Sequence, residues 1–574
     1  MGGKMPALKS SSFRFIFLII TLLYSVQLFA QDNLMRILKD ELQREMSELK
    51  KQESPPYFIS IMVTDQKTYG ASASFGILNG SSKVSRSYLT VSVRVGSYSF
   101  DNTHELRGDI FNPYQYDRSA VEIPTDFSET AMRNAVWREI NRKYRQAVEA
   151  YAKVKANVAV KVKEEDLSAD FAALNKIENY YEKPLDLDAL IGNTIEWENK
   201  VKKYSKPFLN EKNIYIANSS LNFNLTRKYF LTSEGTSIVQ NFTYTQGFVQ
   251  SMIKSPDGME LPLYKSYFSF LPQNMPDDNV VAADVEGMIQ KLRNLYNAPI
   301  VEPYTGPVIL SGSAAGVFFH EIFGHRVEGH RMKKSDDAQT FKKKVNEKVL
   351  LEDLNVVFDP NLKIYNNYQL NGYFLFDDEG VASKKVTVVE SGILKDFLMS
   401  RAPVENFKYS NGHGRAMLGM SPVARQSNLI VEPKKTSTAD ELRKKLIDEC
   451  KRQNKEFGLM IDEVVGGFTT TGRFMPNSFN VTPTLVYKIF VDGRPDQIVR
   501  GVDLVGTPLL IFSNITNAGN EFGVFNGYCG AESGSVPVSC VSPSLLVSQV
   551  EVQKKVKSQE KPPLLPRPDL DKAQ

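Results

Sequence analysis

Residues 318–331, FFHEIFGHRVEGHR, gather three of the chain's five histidines within eleven positions and set a glutamate directly after the first. Imidazoles bind divalent transition metals and an adjacent carboxylate can carry a proton, so these residue types point to metal-assisted hydrolysis. The spacing is awkward. Zinc-peptidase helices present two histidines four residues apart, about 40° from one another around the axis, whereas His320 and His325 are five apart. At about 100° per residue, a regular helix would turn the second ring roughly 140° from the first. Gly324 stands just before His325 and offers a local answer, because a glycine lets the chain leave α geometry and swing His325 back.

Two histidines do not complete a catalytic zinc site, which takes three protein ligands and leaves a fourth position open. The sequence offers Glu328, His330 and, far downstream, Cys529 in FNGYCGAESGSVPVSC. A thiolate suits zinc, and Gly527 and Gly530 allow a tight loop around Cys529. His330 repeats the five-residue spacing and would need a second departure from helix geometry within one short segment. Glu321 is the candidate general base. The rival reading is a peptide-binding or assembly protein with a purely structural zinc, which would need four protein ligands and no adjacent base. His413 and Arg415, in the glycine-spaced SNGHGRA, are candidate donors to a developing oxyanion.

Several elements must position these groups. Residues 32–51 carry Leu34, Ile37, Leu38, Leu42 and Met46 at helical spacing, and 57–100 alternate as strands do, most clearly in YLTVSVRV. A long helix is expected from Ser128 to about Ala156, with Val136, Ile140, Tyr144, Val148 and Tyr151 as its apolar stripe. Strands at 220–245 and a helix at 277–298 close this half, and the proline-bearing stretch 298–307 marks the boundary. Beyond it lie a short strand, PVILS, the histidine segment, and β structure from 348 onward. A helix at 441–457 containing Cys450 interrupts the strands, and a two-residue hairpin turn is expected at Asp492 and Gly493. The expected organisation is a signal peptide at 1–30, an N-terminal α/β domain at 31–300, a β-rich domain at 301–552 and a disordered tail at 553–574.

The first thirty residues pair Lys4, Lys9 and Arg14 with a sixteen-residue apolar run ending at Ala30, which is too short for a membrane span and fits a cleaved export signal. The expected location is therefore periplasmic or secreted, with no stable membrane anchor after cleavage. From residue 31 onward 67 basic residues face 66 acidic ones, a balance that argues against nucleic-acid binding. Three cysteines leave an odd thiol in an oxidising compartment. A ligand role for Cys529 explains it, and a Cys529–Cys540 disulfide is expected in the metal-free protein.

In order along the chain, VFFHEIFGHRVEGHR, FDDEGVASKKVTVVESGILKDFLMS, SNGHGRA, VVGGFTTTG, VRGVDLVG and YCGAESGSVPVS resemble the metallopeptidase domain of the TldD/PmbA family, over roughly residues 300 to 550. The resemblance implies an α+β fold, with an N-terminal α/β domain followed by a β-rich C-terminal metallopeptidase domain that carries the H-E-x-x-x-H helix. It implies Zn²⁺ held by His320, His325 and Cys529, with Glu321 as general base and unfolded or small peptides as substrates. It also implies dimers, either homodimers or heterodimers with a homologous subunit lacking the ligands, that enclose the active sites in a narrow channel. This chain keeps the ligands and so resembles the catalytic, TldD-like subunit. It departs from the pattern at His330, where the family usually has an acidic residue, and in its export signal, since the family is usually cytoplasmic.

Overall fold

The computed structural model describes residues 32–105, 120–158, 167–333, 337, 339–472 and 478–555. The proposed signal peptide and nearly all of the proposed tail lie outside them. In the N-terminal half, α1 (Asn33–Leu49) begins on the side chain of Asp32, which accepts from the Leu34 amide at 3.2 Å. The strands β1 (Pro56–Ser74) and β2 (Ile77–Val95) then form one continuous antiparallel ladder. After α2 (Glu129–Val158), the strands β3 (Ile214–Thr232), β4 (Ser237–Lys254) and β5 (Glu260–Ser269) extend the sheet, and α3 (Asp278–Tyr296) closes the half.

Alternation decides what each face of this sheet meets. Ile59, Ile61, Val63, Leu89, Val91 and Val93 pack beneath α1 and α2. Farther along β1 and on β3, Tyr69, Ala71, Leu221, Phe223 and Leu225 join a second cluster with Val201 and Tyr204 of the helix Thr194–Ser205, which packs on these two strands, and the same cluster takes in Val285, Met288 and Leu292 of α3. Fully burying each such aliphatic side chain contributes about 1.5–3 kcal/mol. The intervening residues, among them Ser60, Thr64, Thr90, Ser92 and Thr226, form a polar face that looks toward the C-terminal half.

A second core begins near Val301. The strand β6 (Tyr304–Leu310) leads directly into α4 (Gly312–Ile322), the helix of the histidine motif. Then follow β7 (Leu354–Phe358), β8 (Val386–Glu390), β9 (Ile393–Leu394), β10 (Asn428–Pro433), α5 (Ala439–Arg452), β11 (Phe457–Thr469), β12 (Phe479–Phe490), β13 (Val502–Gly506), β14 (Ile515–Ala531) and β15 (Gly534–Lys554). The 21-residue β15 pairs with β10, β6, β13 and β14 at successive or facing stretches. The path from β15 through β13, β12, β11 and β6 returns to β15, so the sheet closes on itself.

The helix α4 packs against β14, β15, β11 and β12. Every residue of it except Ser313 is buried, as expected of a helix apolar on all sides. Close approach explains two of its glycines: a Cβ on Gly312 would lie 2.1 Å from the Gly523 amide nitrogen, and one on Gly316 would lie 3.0 Å from Cys540 Cβ.

Two expectations are corrected. Residues 348–428 are mainly loops with short strands, not continuous β structure. Asp492 and Gly493 lie in a six-residue connection, 491–496, between β12 and the strand Gln497–Val499, with Gly493 at φ 82°. The first residue of this connection, Val491, donates its amide to the Glu456 carbonyl at 3.0 Å and so prolongs the pairing of β12 with β11.

Candidate metal centre

The helix α4 ends one residue past its motif glutamate. Phe323, at φ −118° and ψ −53°, caps it, and Gly324–Arg326 turn as a 3₁₀ helix. The Arg326 guanidinium folds back to donate to the carbonyls of Glu321 (2.8 Å) and Ile322 (3.2 Å) and to Thr469 Oγ1 of β11 (2.9 Å). This satisfies carbonyls that the ended helix leaves open. Gly324 has no unusual φ. It is needed because a Cβ there would sit 1.9 Å from Gln426 Oε1.

The tightened turn brings the two imidazoles together, with ring centroids 5.0 Å apart and planes at 79°. The tip of the β14–β15 hairpin adds the third donor. Cys529 Sγ lies 3.4 Å from His325 Nε2, and one ligand atom from each of His320, His325 and Cys529 falls within 4.8 Å of the others. All three residues are buried, and His320 Nδ1 has no hydrogen-bond partner among the described residues. Two imidazoles and a thiol converging around an unsatisfied ring nitrogen form a donor set that fits Zn²⁺.

Burial alone would push the imidazoles down and the thiol up, but mutual attraction outweighs it. The Cys529 and Cys540 sulfurs hold His320 well above its ordinary range, Cys529 and Glu328 hold His325 at about 9, and the two imidazoles hold the Cys529 thiol well below its own.

Behind the donors lies a buried charged network that the sequence did not signal. His325 Nδ1 faces Glu328 Oε2 at 3.2 Å, which leaves Nε2 for the cluster. Glu328 is fully buried, which alone would raise its carboxyl, yet His325, Arg331 and Arg425 hold it at about 2. Arg331 donates to Glu328 Oε2 at 3.0 Å and to Glu532 Oε2 at 2.9 Å. Arg425 donates to Cys529 Sγ at 3.2 Å.

The remaining sequence candidates divide. Glu321, beside His320, is buried, and a Cβ on Gly467 of β11 would lie 2.8 Å from its Cγ. His330 stands outside the three-residue cluster, and its Nε2 pairs with Glu532. His413 is corrected as an oxyanion donor: its Nδ1 faces Asn411 Oδ1 at 3.1 Å, its Nε2 faces Ser427 Oγ at 3.1 Å, and burial beside Arg415 holds it neutral, down at about 3. Arg415 is buried, donates to the Gln426 carbonyl at 2.6 Å and lies over the Phe374 ring.

The Cys529–Cys540 disulfide is corrected as well. Cys529 pairs with Val536 across the hairpin, four residues before Cys540. That separates the cysteines by about 13 Å along the strand, where a disulfide requires less than about 7 Å between Cα atoms. Cys450 is buried on α5, in a separate small cluster with Leu442 and Leu446.

A cavity of about 1100 Å³ lies between the polar face of the N-terminal sheet and the loops around 374–379 and 415–423. His330, Arg415 and Tyr528 line it, but His320, Glu321, His325 and Cys529 do not. Of the charged network around the centre, only His330 lines this cavity, and Glu321 packs against Gly467 of β11.

His320 at the end of α4, His325 on the turn after it and Cys529 on the β14–β15 hairpin form a buried cluster that could hold a metal ion, with Glu321 next to the first histidine in the chain. Residues 303–554 match the family described as "PmbA/TldA metallopeptidase C-terminal domain", so the likeness to the PmbA/TldD family lies in the C-terminal half of the chain. It is 34% identical over 263 residues to a metalloprotease of Archaeoglobus fulgidus, a stretch covering 45% of this chain and 56% of the relative. It is 24% identical over 280 residues to a zinc metalloprotease TldD homolog of Saccharolobus solfataricus, covering 47% and 58%. These alignments thus span little more than half the length of each relative.

Among solved structures, TldE from Thermococcus kodakarensis superposes with a TM-score of 0.60 at 15% identity, over 90% of this chain and 100% of that one. A putative modulator of a DNA gyrase from Thermotoga maritima gives 0.55 at 14%, over the same shares. At such identities these two likenesses establish the α+β fold alone.

Proposed function

We propose that the protein is a zinc-dependent metallopeptidase that hydrolyses unfolded or small peptides, with His320, His325 and Cys529 as ligands and Glu321 as general base. The observation that carries this reading is the convergence of those three donors with Glu321 on the adjoining helical position. When bound, zinc would polarise the scissile carbonyl and acidify water. Glu321 takes a proton from the attacking water on its carboxylate and delivers it to the leaving amine. Burial of that carboxylate against Gly467 limits competing solvent. Arg415 remains the candidate to steady the oxyanion. In the rival structural-zinc reading a fourth protein ligand closes the site, and the engagement of His330 by Glu532 weighs against it.

The same reading includes export to the periplasm or outside the cell, and action as a homodimer or with a homologous subunit. Metal content and cleavage of an unstructured peptide, compared between wild type and Glu321→Gln, test it. One zinc per chain in both proteins, with cleavage only in wild type, is the expected result. Cleavage by metal-free protein, or equal rates, would overturn it.

A further inference from the structure

We infer that Arg425 is a positioning residue for the Cys529 ligand, holding the hairpin tip against the histidine segment and setting how strongly the sulfur donates to a metal. The inference rests on the proposed metal site and concerns what holds it in shape. Arg425 is wholly buried on the loop before β10. Its Nη2 donates to Cys529 Sγ at 3.2 Å and to the Cys529 carbonyl at 2.6 Å, and its Nη1 donates to Ser533 Oγ at 2.7 Å and to the Gly534 carbonyl at 2.8 Å. One planar fork thus grips residues 529, 533 and 534 across the turn that presents the thiol. Behind it, Nε lies 3.4 Å from Glu328 Oε1, and the other oxygen of Glu328 faces His325 Nδ1.

The contacts close a circuit from Cys529 through Arg425, Glu328 and His325 back to Cys529, so one guanidinium couples two donors that lie on distant parts of the chain. A lysine in this place keeps the charge but presents a single compact ammonium, which cannot reproduce five planar donors. An N–H···S bond also withdraws electron density from the sulfur, so its loss must change the metal–sulfur bond as well as the affinity.

The test uses the full chain loaded with Co²⁺, whose sulfur-to-cobalt charge-transfer absorption reports the Cys529 bond directly, together with affinity from competition against a chelator. For Arg425→Lys and Arg425→Gln we expect affinity lower by about 10–100-fold and a charge-transfer band moved to lower energy in the protein that still binds. A purely structural role would lower affinity and leave the band in place, which overturns the inference, as does unchanged affinity. Should both variants fail to fold, Ser533→Ala removes only the outer grip. It should weaken binding severalfold, and wild-type affinity there would equally overturn the inference. Wild-type protein that takes up Co²⁺ without any such band would instead refute Cys529 as a ligand, and with it the functional reading itself.

Discussion

Replacing Gly324 by alanine probes the bend that reconciles a five-residue histidine spacing with one metal centre. The added Cβ would lie 1.9 Å from Gln426 Oε1, 2.3 Å from Cδ and 2.6 Å from Nε2. Restoring van der Waals separation requires a movement of roughly 1.5 Å. Gln426 has little room to make it, being wholly buried with its Nε2 donating to the His320 carbonyl at 3.3 Å. Overpacking of this kind costs about 1–3 kcal/mol. For a domain of this size that lowers the melting temperature by about 2–12 °C. If the turn yields rather than Gln426, the same energy appears as misplacement of His325 and weakens metal binding by about 5–150-fold. Thermal melts of metal-free and zinc-loaded protein, with chelator competition, divide the cost between these two routes. Gly324→Ala combined with Gln426→Ala removes all three clashing atoms and should recover most of the loss. Wild-type melting and affinity in the single variant, or losses that simply add in the double variant, would refute the reasoning.

Glu321→Gln should retain fold and zinc while losing about 10²–10⁴-fold in peptide turnover, measured with metal-loaded protein. After dialysis against a weak chelator, Cys529→Ala should have lost its zinc while His330→Ala keeps one per chain, because His330 is held by Glu532 outside the cluster. Mass spectrometry of metal-stripped, air-exposed protein should find no Cys529–Cys540 bond, since four strand residues separate Cys540 from the position opposite Cys529. Glu328 is held at about 2 in the folded protein against an ordinary 4.5, so its contribution to stability is complete above about pH 4.5 and disappears as pH falls toward 2. The melting-temperature advantage of wild type over Glu328→Gln should therefore be full at pH 7 and shrink steadily below pH 4.5; a gap that did not change with pH would count against this charge pairing.

Periodicity by itself determined the elements whose signal is local. The apolar spacing at Leu34, Ile37, Leu38 and Leu42 yields α1, and alternation at Leu89, Val91 and Val93 yields a strand with one buried face, because side-chain direction follows from backbone geometry within a few residues. Residue chemistry marked the histidine segment just as directly, because three histidines and a glutamate within eleven positions of a histidine-poor chain can be read without a fold, but it left Glu328, His330 and Cys529 open as the third donor. The reason for Gly324 was legible only in part. The sequence suggested a backbone that leaves the helix, and it does, but what forbids a side chain is Gln426, about a hundred residues away in the chain. Arg331, Glu532 and Arg425 carried no signal at all, since a charged residue reads as solvent-facing until a partner is found for it. Tertiary structure alone supplies those partners. It brings Arg425 to Cys529 across 104 residues, and a charge can stay in the interior only where such contacts replace the water it has lost.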